Sequence, residues 1–319
     1  MLTIEVFSRQ NDHIGEGPLW SVAEQALYWI DIGHKRLHRK RLSDSLPQSW
    51  PLPDYPGCLA ELVPARSVAI AMAEGVYQLD VISGAAELLC AGPARKPGTR
   101  FNDGKVDPRG RLWIGTMQNN FGHAGEENPV DRCDGVLCRF DADGHVAILE
   151  EEIGISNTLA WSPDLNRFYF GDSLAGRIYV YDFDADSGTI CNKRTFFDGP
   201  GYGGPDGSAI DVDGCLWNAR WDGSAVLKIT PEGKIDRVIA LSVPRPTSCC
   251  FGGPDLKTLF VTSATYGLTD AQLEHSPLSG SVFAILGAGQ GISVPPMAHP
   301  SATLASPRKA PNQSPNRRS

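Results

Sequence analysis

The sequence predicts an all-β protein, a six-bladed β-propeller with four-stranded antiparallel blades. Three observations carry that prediction. A turn followed by a short aromatic or β-branched strand recurs six times, at intervals of about 40 to 55 residues. A second strand with period-2 alternation, several copies ending in Asp-Gly, Ser-Gly or Glu-Gly, follows each copy. No amphipathic helix of convincing length interrupts the series, and 34 Gly with 24 Pro suit a turn-rich chain.

The first signal reads WSVAEQALYWIDI from residue 20, then VPARSVAIAMAEG from 63, VDPRGRLWIGTM from 106, WSPDLNRFYFGDS from 161, DVDGCLWNARWDG from 211 and GPDLKTLFVTSA from 253. The second reads KRLHRKRL from 35, GVYQLDVISG from 75, GVLCRFDADG from 135, GRIYVYDFDADSG from 176, SAVLKITPEG from 224 and GSVFAILG from 280. Together they read as the inner hairpins of blades, each too small to bury both faces alone and therefore closing into a ring. Roughly 300 residues at roughly 45 to 50 per blade give six blades. A β-helix would repeat over about 20 residues, and a sandwich requires no such period. The N-terminal LTIEVFS is suited to complete the last blade and hide two strand edges.

Residues 1–298 are thus expected to form one propeller domain. From 299 the chain reads HPSATLASPRKAPNQSPNRRS, a Pro-, Ser- and Arg-rich composition expected to be a disordered tail. No apolar run reaches the roughly 18 residues of a membrane span. The start lacks a basic segment followed by an apolar one, so a cytoplasmic location is expected. There the eight cysteines are expected to be free thiols, with Cys249 and Cys250 as small core residues. A net charge of −8 argues against nucleic acid or an anionic membrane as partner. Glu150, Glu151 and Glu152 read as a solvated loop. A closed ring hides its own edges, so a monomer satisfies the fold.

Loops entering the innermost strands of a propeller converge on one mouth of its channel, so polar residues preceding the strand signals should meet there. Glu16 precedes the first blade's strand and Asn157 the fourth's. Asp206 precedes the fifth's, and Arg100 and Asn102 stand before the third's, in a cluster with Asp103 and Lys105. Their carboxylates and amides form a hard-oxygen set suited to Ca²⁺, Mg²⁺, Mn²⁺ or Zn²⁺. His123 is a further candidate for the mouth, with a surface loop as the simpler reading. No G-x-S-x-G elbow, H-E-x-x-H motif or Gly-rich phosphate loop is present, which removes support for serine-hydrolase and nucleotide chemistry.

At these residues the sequence resembles the regucalcin (senescence marker protein)/gluconolactonase family. The resemblance runs in order through GEGPLW, RFNDGKVDPRGRLWIGTM, SNTLAWSPD, RFYFGDS, PDGSAIDVDGCLW and TSCCFGG, about 280 residues in all. It implies a six-bladed propeller that holds one divalent cation at the channel mouth and hydrolyses sugar-acid lactones. By motif, the metal-binding residues are Glu16, Asn157 and Asp206, and the substrate-contacting residues are Arg100 and Asn102. Asn120 stands where animal members carry a Glu, which points to a different substrate preference. The cation implied is Ca²⁺ or Zn²⁺, with Mg²⁺, Mn²⁺ or Fe²⁺ as further candidates. Asp206 would double as general base. Glucono-, galactono-, arabino- and xylonolactone all fit the reading. Two alternatives stand beside it: a calcium-binding or protein-interacting propeller without turnover, and a hydrolase of other esters or phosphotriesters.

Overall fold

A computed structural model of the protein describes residues 2–63, 67–94, 96–122 and 125–299. His123 and residues 300–319 of the expected tail lie outside these. Among the described residues the chain forms six four-stranded antiparallel sheets arranged as a six-bladed propeller. The innermost strands are Gly15–Ser21, Leu59–Glu61, Thr99–Val106, Ser156–Trp161, Gly204–Ile210 and Pro246–Gly252, and each later strand of a blade lies one step outward. Five blades are consecutive in sequence. The sixth takes its outermost strand, Thr3–Arg9, from the N-terminus, paired with Ser281–Leu286. This is the expected closure, and it ties the two ends of the ring together. The one helix among the described residues is short, Asp270–His275, and none is long and apolar enough to cross a membrane.

The repeated signals mark the second and third strands of each blade, one step outward from the expected inner hairpin. In two blades the turn chemistry behind the signal is the same. In DPRGRLW, Asp107 accepts the backbone N–H groups of Arg109 (2.8 Å) and Arg111 (3.0 Å), while its other oxygen accepts the Trp113 indole N–H at 3.0 Å. Gly110 supplies the left-handed residue (φ 83°) that the turn requires. DVDGCLW repeats the device: Asp211 accepts from Asp213, Cys215 and the Trp217 indole. Each Asp joins its turn to a fully buried tryptophan at the next strand.

Between blades the core is aromatic. Trp113, Trp161, Phe168 and Phe183 form one cluster between the third and fourth blades, and Trp20 stacks on Phe260 (5.5 Å) where the first blade meets the sixth. None of the eight cysteines forms a disulfide; Cys249 is buried and Cys250 half-buried. The Glu150–Glu152 run is not a loop. It lies in the third blade's outer strand, Val146–Ile153, where Glu150 pairs with Lys193 at 2.8 Å, and charge on an outer strand discourages edge-to-edge association.

Site residues occupy the starts of the inner strands. The later halves of those strands line a cavity of about 340 Å³ in the channel, bordered also by Ile292, Val294 and Pro295. These three belong to a C-terminal strap running from the Asp211–Gly291 bridge to the Leu62–Met297 bridge.

Candidate active site

Glu16, Asn102, Asn157 and Asp206 lie within the innermost strands rather than in loops before them. The strand register is broken at each: between Glu16 and Leu19, Phe101 and Gly104, Asn157 and Ala160, and Pro205 and Ser208. A bulge places two residues opposite one, breaks the in–out alternation and re-aims side chains. Here it turns polar side chains from four blades toward one place. Gly17 takes a left-handed conformation (φ 55°) after Glu16 and donates its N–H to Glu16 Oε2 at 2.7 Å.

All of the expected site residues are buried: Glu16, Arg100, Asn102, Asn120, Asn157 and Asp206 are each under a tenth exposed. Arg100 donates from Nε to Asn120 Oδ1 (2.9 Å) and from Nη1 to Asn102 Oδ1 (2.8 Å). Asn102 Nδ2 reaches the next blade, donating to the Ser156 carbonyl (2.9 Å) and Asn157 Oδ1 (3.3 Å). Asn157 Nδ2 in turn donates to Ser173 Oγ at 2.7 Å, which leaves its carbonyl oxygen facing the centre with Asn102. The Glu16 and Asp206 carboxyls, from different blades, are close enough to interact directly.

A third carboxylate joins them. Asp103, adjacent to Asn102 in the same bulge, is buried and accepts the Gly104 N–H at 2.9 Å. Its charge acts on both Glu16 and Asp206. Burial first, and then the neighbouring Asp103 charge, push Glu16 up to about 8. Burial and the charges of Glu16 and Asp103 likewise drive Asp206 well above the carboxylate range, and burial raises Asp103. Burial depresses Arg100 to about 10. Asp103 is not among the expected site residues, although it stands in the RFNDGK cluster that supplies two of them.

Three mutually repelling buried carboxylates with a convergent amide oxygen suit a divalent cation, which would replace the protons that otherwise relieve the repulsion. Glu16, Asp206 and Asn157 are the donors that fit. Among the described residues, the group whose carboxylate and imidazole atoms all lie within 4.8 Å of one another is a different one, Asp12, Asp31 and His38. There Asp31 already accepts the N–H groups of His13 and Ile14 and binds the His34 ring at 2.6 Å. Asp12 accepts the Trp29 indole at 2.9 Å and pairs with His38 at 3.3 Å. That cluster clamps the first blade.

Above the carboxylates the mouth is walled by Tyr55 and Phe121, stacked at 4.4 Å, with Phe121 and Tyr266 edge to face at 6.0 Å. The Arg100 guanidinium lies 5.7 Å from the Phe121 ring.

A closed propeller whose inner strands deliver buried carboxylates, amides and an arginine to one mouth defines a small-molecule site, polar at its base and aromatic at its rim. Residues 14–265 match the SMP-30/Gluconolactonase/LRE-like region, and the chain belongs to that family. It is 39% identical over 284 residues to the 6-deoxy-6-sulfogluconolactonase of Pseudomonas putida, covering 88% of this chain and 94% of that protein. It is 36% identical over 290 residues to regucalcin of Sus scrofa, covering 90% and 95%. Among solved structures, a luciferin-regenerating enzyme superposes with a TM-score of 0.83 at 30% identity, over 93% of this chain and 99% of the other. The calcium-binding protein regucalcin from Agrobacterium tumefaciens gives 0.83 at 28% identity, over 92% and 98%. The family is lactonase-like.

Proposed function

We propose that the protein hydrolyses a sugar-acid lactone to the free aldonic acid with the help of one divalent cation. The observation that carries this reading is the convergence of Glu16, Asn157 and Asp206 from three blades beside Arg100, Asn102 and Asn120. The name of the Pseudomonas putida relative supports an aldonolactone, and the calcium-binding character of the Agrobacterium tumefaciens neighbour supports calcium at the site.

Glu16, Asn157 and Asp206 would hold the cation, which supplies Lewis acidity at the lactone carbonyl. The chain's own residues do the rest. Asp206 takes a proton from the attacking water as its oxygen approaches the carbonyl carbon, and returns it to the ring oxygen as the ester bond breaks. Arg100 spends Nε and Nη1 on Asn120, Asn102 and the Phe101 carbonyl, while its Nη2 donates to none of the described residues. That nitrogen is the natural donor to a sugar oxygen. A site that hydrogen-bonds a hydroxyl discriminates against analogues lacking it far more sharply than an apolar wall does. Tyr55 and Phe121 shield one side of the mouth from water. We place the protein in the cytoplasm, where eight cysteines without a disulfide among them are at home.

The test is pH-indicator hydrolysis of a panel of glucono-, galactono-, arabino- and xylonolactone, before and after chelation and with divalent ions restored one at a time. Turnover abolished by chelator and restored by a cation supports the reading. Absence of turnover across the panel with partner binding that survives chelation would establish an interaction module instead.

A further inference from the structure

The second strand of the fifth blade, Leu216–Trp221, carries two buried polar residues that the proposed reaction does not use. Asn218 pairs with Ser208 and Arg220 with Pro205, so the two bracket the bulged Asp206–Gly207 step on the inner strand. Asn218 is 0% exposed and Arg220 1%. Asn218 Nδ2 donates to the Asp206 carbonyl at 2.8 Å and to Ser208 Oγ at 2.9 Å, and lies 3.1 Å from Thr158 Oγ1. Thr158, from the fourth blade, donates its hydroxyl to the same Asp206 carbonyl at 2.5 Å.

The orientation of this amide is dictated from behind. Arg220 Nη1 lies 2.8 Å from Asn218 Oδ1, and a guanidinium only donates, so the amide oxygen must face it and Nδ2 must face Asp206. Arg220 is itself held by the carbonyls of Tyr202 (3.1 Å) and Gly203 (2.7 Å). No carboxylate lies within ion-pairing distance of it among the described residues. Burying a cation without an ion-pair partner is costly. Thr158 adds a second cost: it is β-branched yet sits in the left-handed region at φ 56°. Two unfavourable features, Thr158 acting on the Asp206 carbonyl directly and Arg220 through Asn218, indicate a constraint beyond folding.

We propose that Thr158, Asn218 and Arg220 are positioning residues that lock the bulged backbone of Asp206 and so aim its carboxylate at the cation and the attacking water. The proposal rests on the reading of Asp206 given above.

The test compares Arg220→Met, Asn218→Ser and Thr158→Gly with wild type, using calorimetric titration of Mn²⁺ alone and kcat and KM for gluconolactone. Arg220→Met and Asn218→Ser are expected to weaken Mn²⁺ binding and lower kcat by about 10- to 100-fold, the range for outer residues that orient metal ligands, with KM within about twofold. Arg220→Lys recovers part of the loss. Thr158→Gly separates positioning from folding. Glycine accepts φ 56° without strain, which offsets part of the cost of the lost buried side chain, so the protein stays folded, while Mn²⁺ affinity falls about fivefold for the lost hydrogen bond to the Asp206 carbonyl. Thr158→Ser, which keeps the hydroxyl, recovers most of that affinity. Should Arg220→Met fail to fold, Thr158→Gly and Asn218→Ser decide the matter. Wild type that binds no divalent cation overturns the reading of the site and this proposal with it. Wild type that binds Mn²⁺, with all three variants matching its affinity and kcat within twofold, overturns the proposal alone.

Discussion

Stripped of divalent cations, the protein should lose stability as pH rises from 5 to 9, and Glu16 is one of the carboxyls responsible. Its carboxyl moves from an ordinary value of 4.5 to about 8 in the folded chain, driven by burial and then by the Asp103 charge. A raised carboxyl binds its proton more tightly when folded than when unfolded. The stabilisation is therefore complete below pH 4.5 and is lost as pH climbs to about 8. At 1.36 kcal/mol per tenfold change in affinity, the full loss is about 5 kcal/mol, of which about 4 kcal/mol falls between pH 5 and pH 8. For a chain of this size about 2 °C follows each kcal/mol, so the melting temperature should drop by roughly 8 °C. Asp206 and Asp103 are raised as well and act in the same direction. A bound cation reverses the trend, because the carboxylates must shed protons to bind it and its stabilising effect grows with pH. The assay is thermal unfolding by circular dichroism at pH 5, 6, 7, 8 and 9, with chelator and with millimolar Ca²⁺ or Mn²⁺, for wild type and Glu16→Gln. Glu16→Gln removes one of the three titrating carboxyls and should make the metal-free slope shallower. A metal-free melting temperature that stays level from pH 5 to 9, or a slope that Glu16→Gln leaves intact, refutes the reasoning.

Three further outcomes follow from the same geometry. Asp206→Ala should lower kcat for gluconolactone by about 10²- to 10⁴-fold, the range for a lost general base, while far-UV circular dichroism stays unchanged; turnover within tenfold of wild type would remove Asp206 from its role. Asn120→Ala deprives the buried Arg100 Nε of its acceptor at 2.9 Å, and the expected rise in KM is about tenfold, read from initial rates across the lactone panel. Deleting residues 1–10 exposes the edge of Ser281–Leu286, and size-exclusion chromatography should then show self-association or loss of the folded species.

How far these residues could be read from the sequence depends on what each kind of signal preserves. The ring was legible because a turn followed by a short aromatic or β-branched strand recurs along the chain, and in two of the six blades that unit is a chemical device. Asp107 with Trp113 and Asp211 with Trp217 must stand six residues apart for the turn carboxylate to reach the indole, and that spacing survives in the linear sequence. The closing strand was legible because LTIEVFS alternates and has no partner within its own neighbourhood. Five of the polar residues that the structure buries at the channel mouth could be singled out for a related reason: they stand at matching places in different blades. Their placement within the strand was not legible, because regular alternation would send neighbours to opposite faces. Asn102 and Asp103 are neighbours that both belong to the site, and only the break in register between Phe101 and Gly104 permits that. A bulge is a relation between two strands, so it leaves no mark on the polar residues of either one alone. Asn218 and Arg220 were hidden by the same relation. LWNARW reads as a strand with small and polar interruptions, and its bearing on Asp206 appears only when Ser208 is set opposite Asn218 and Pro205 opposite Arg220. What a sequence hides in a propeller is therefore chiefly cross-strand register. Catalytic side chains depend on it most, since each blade contributes one or two residues and all of them must meet.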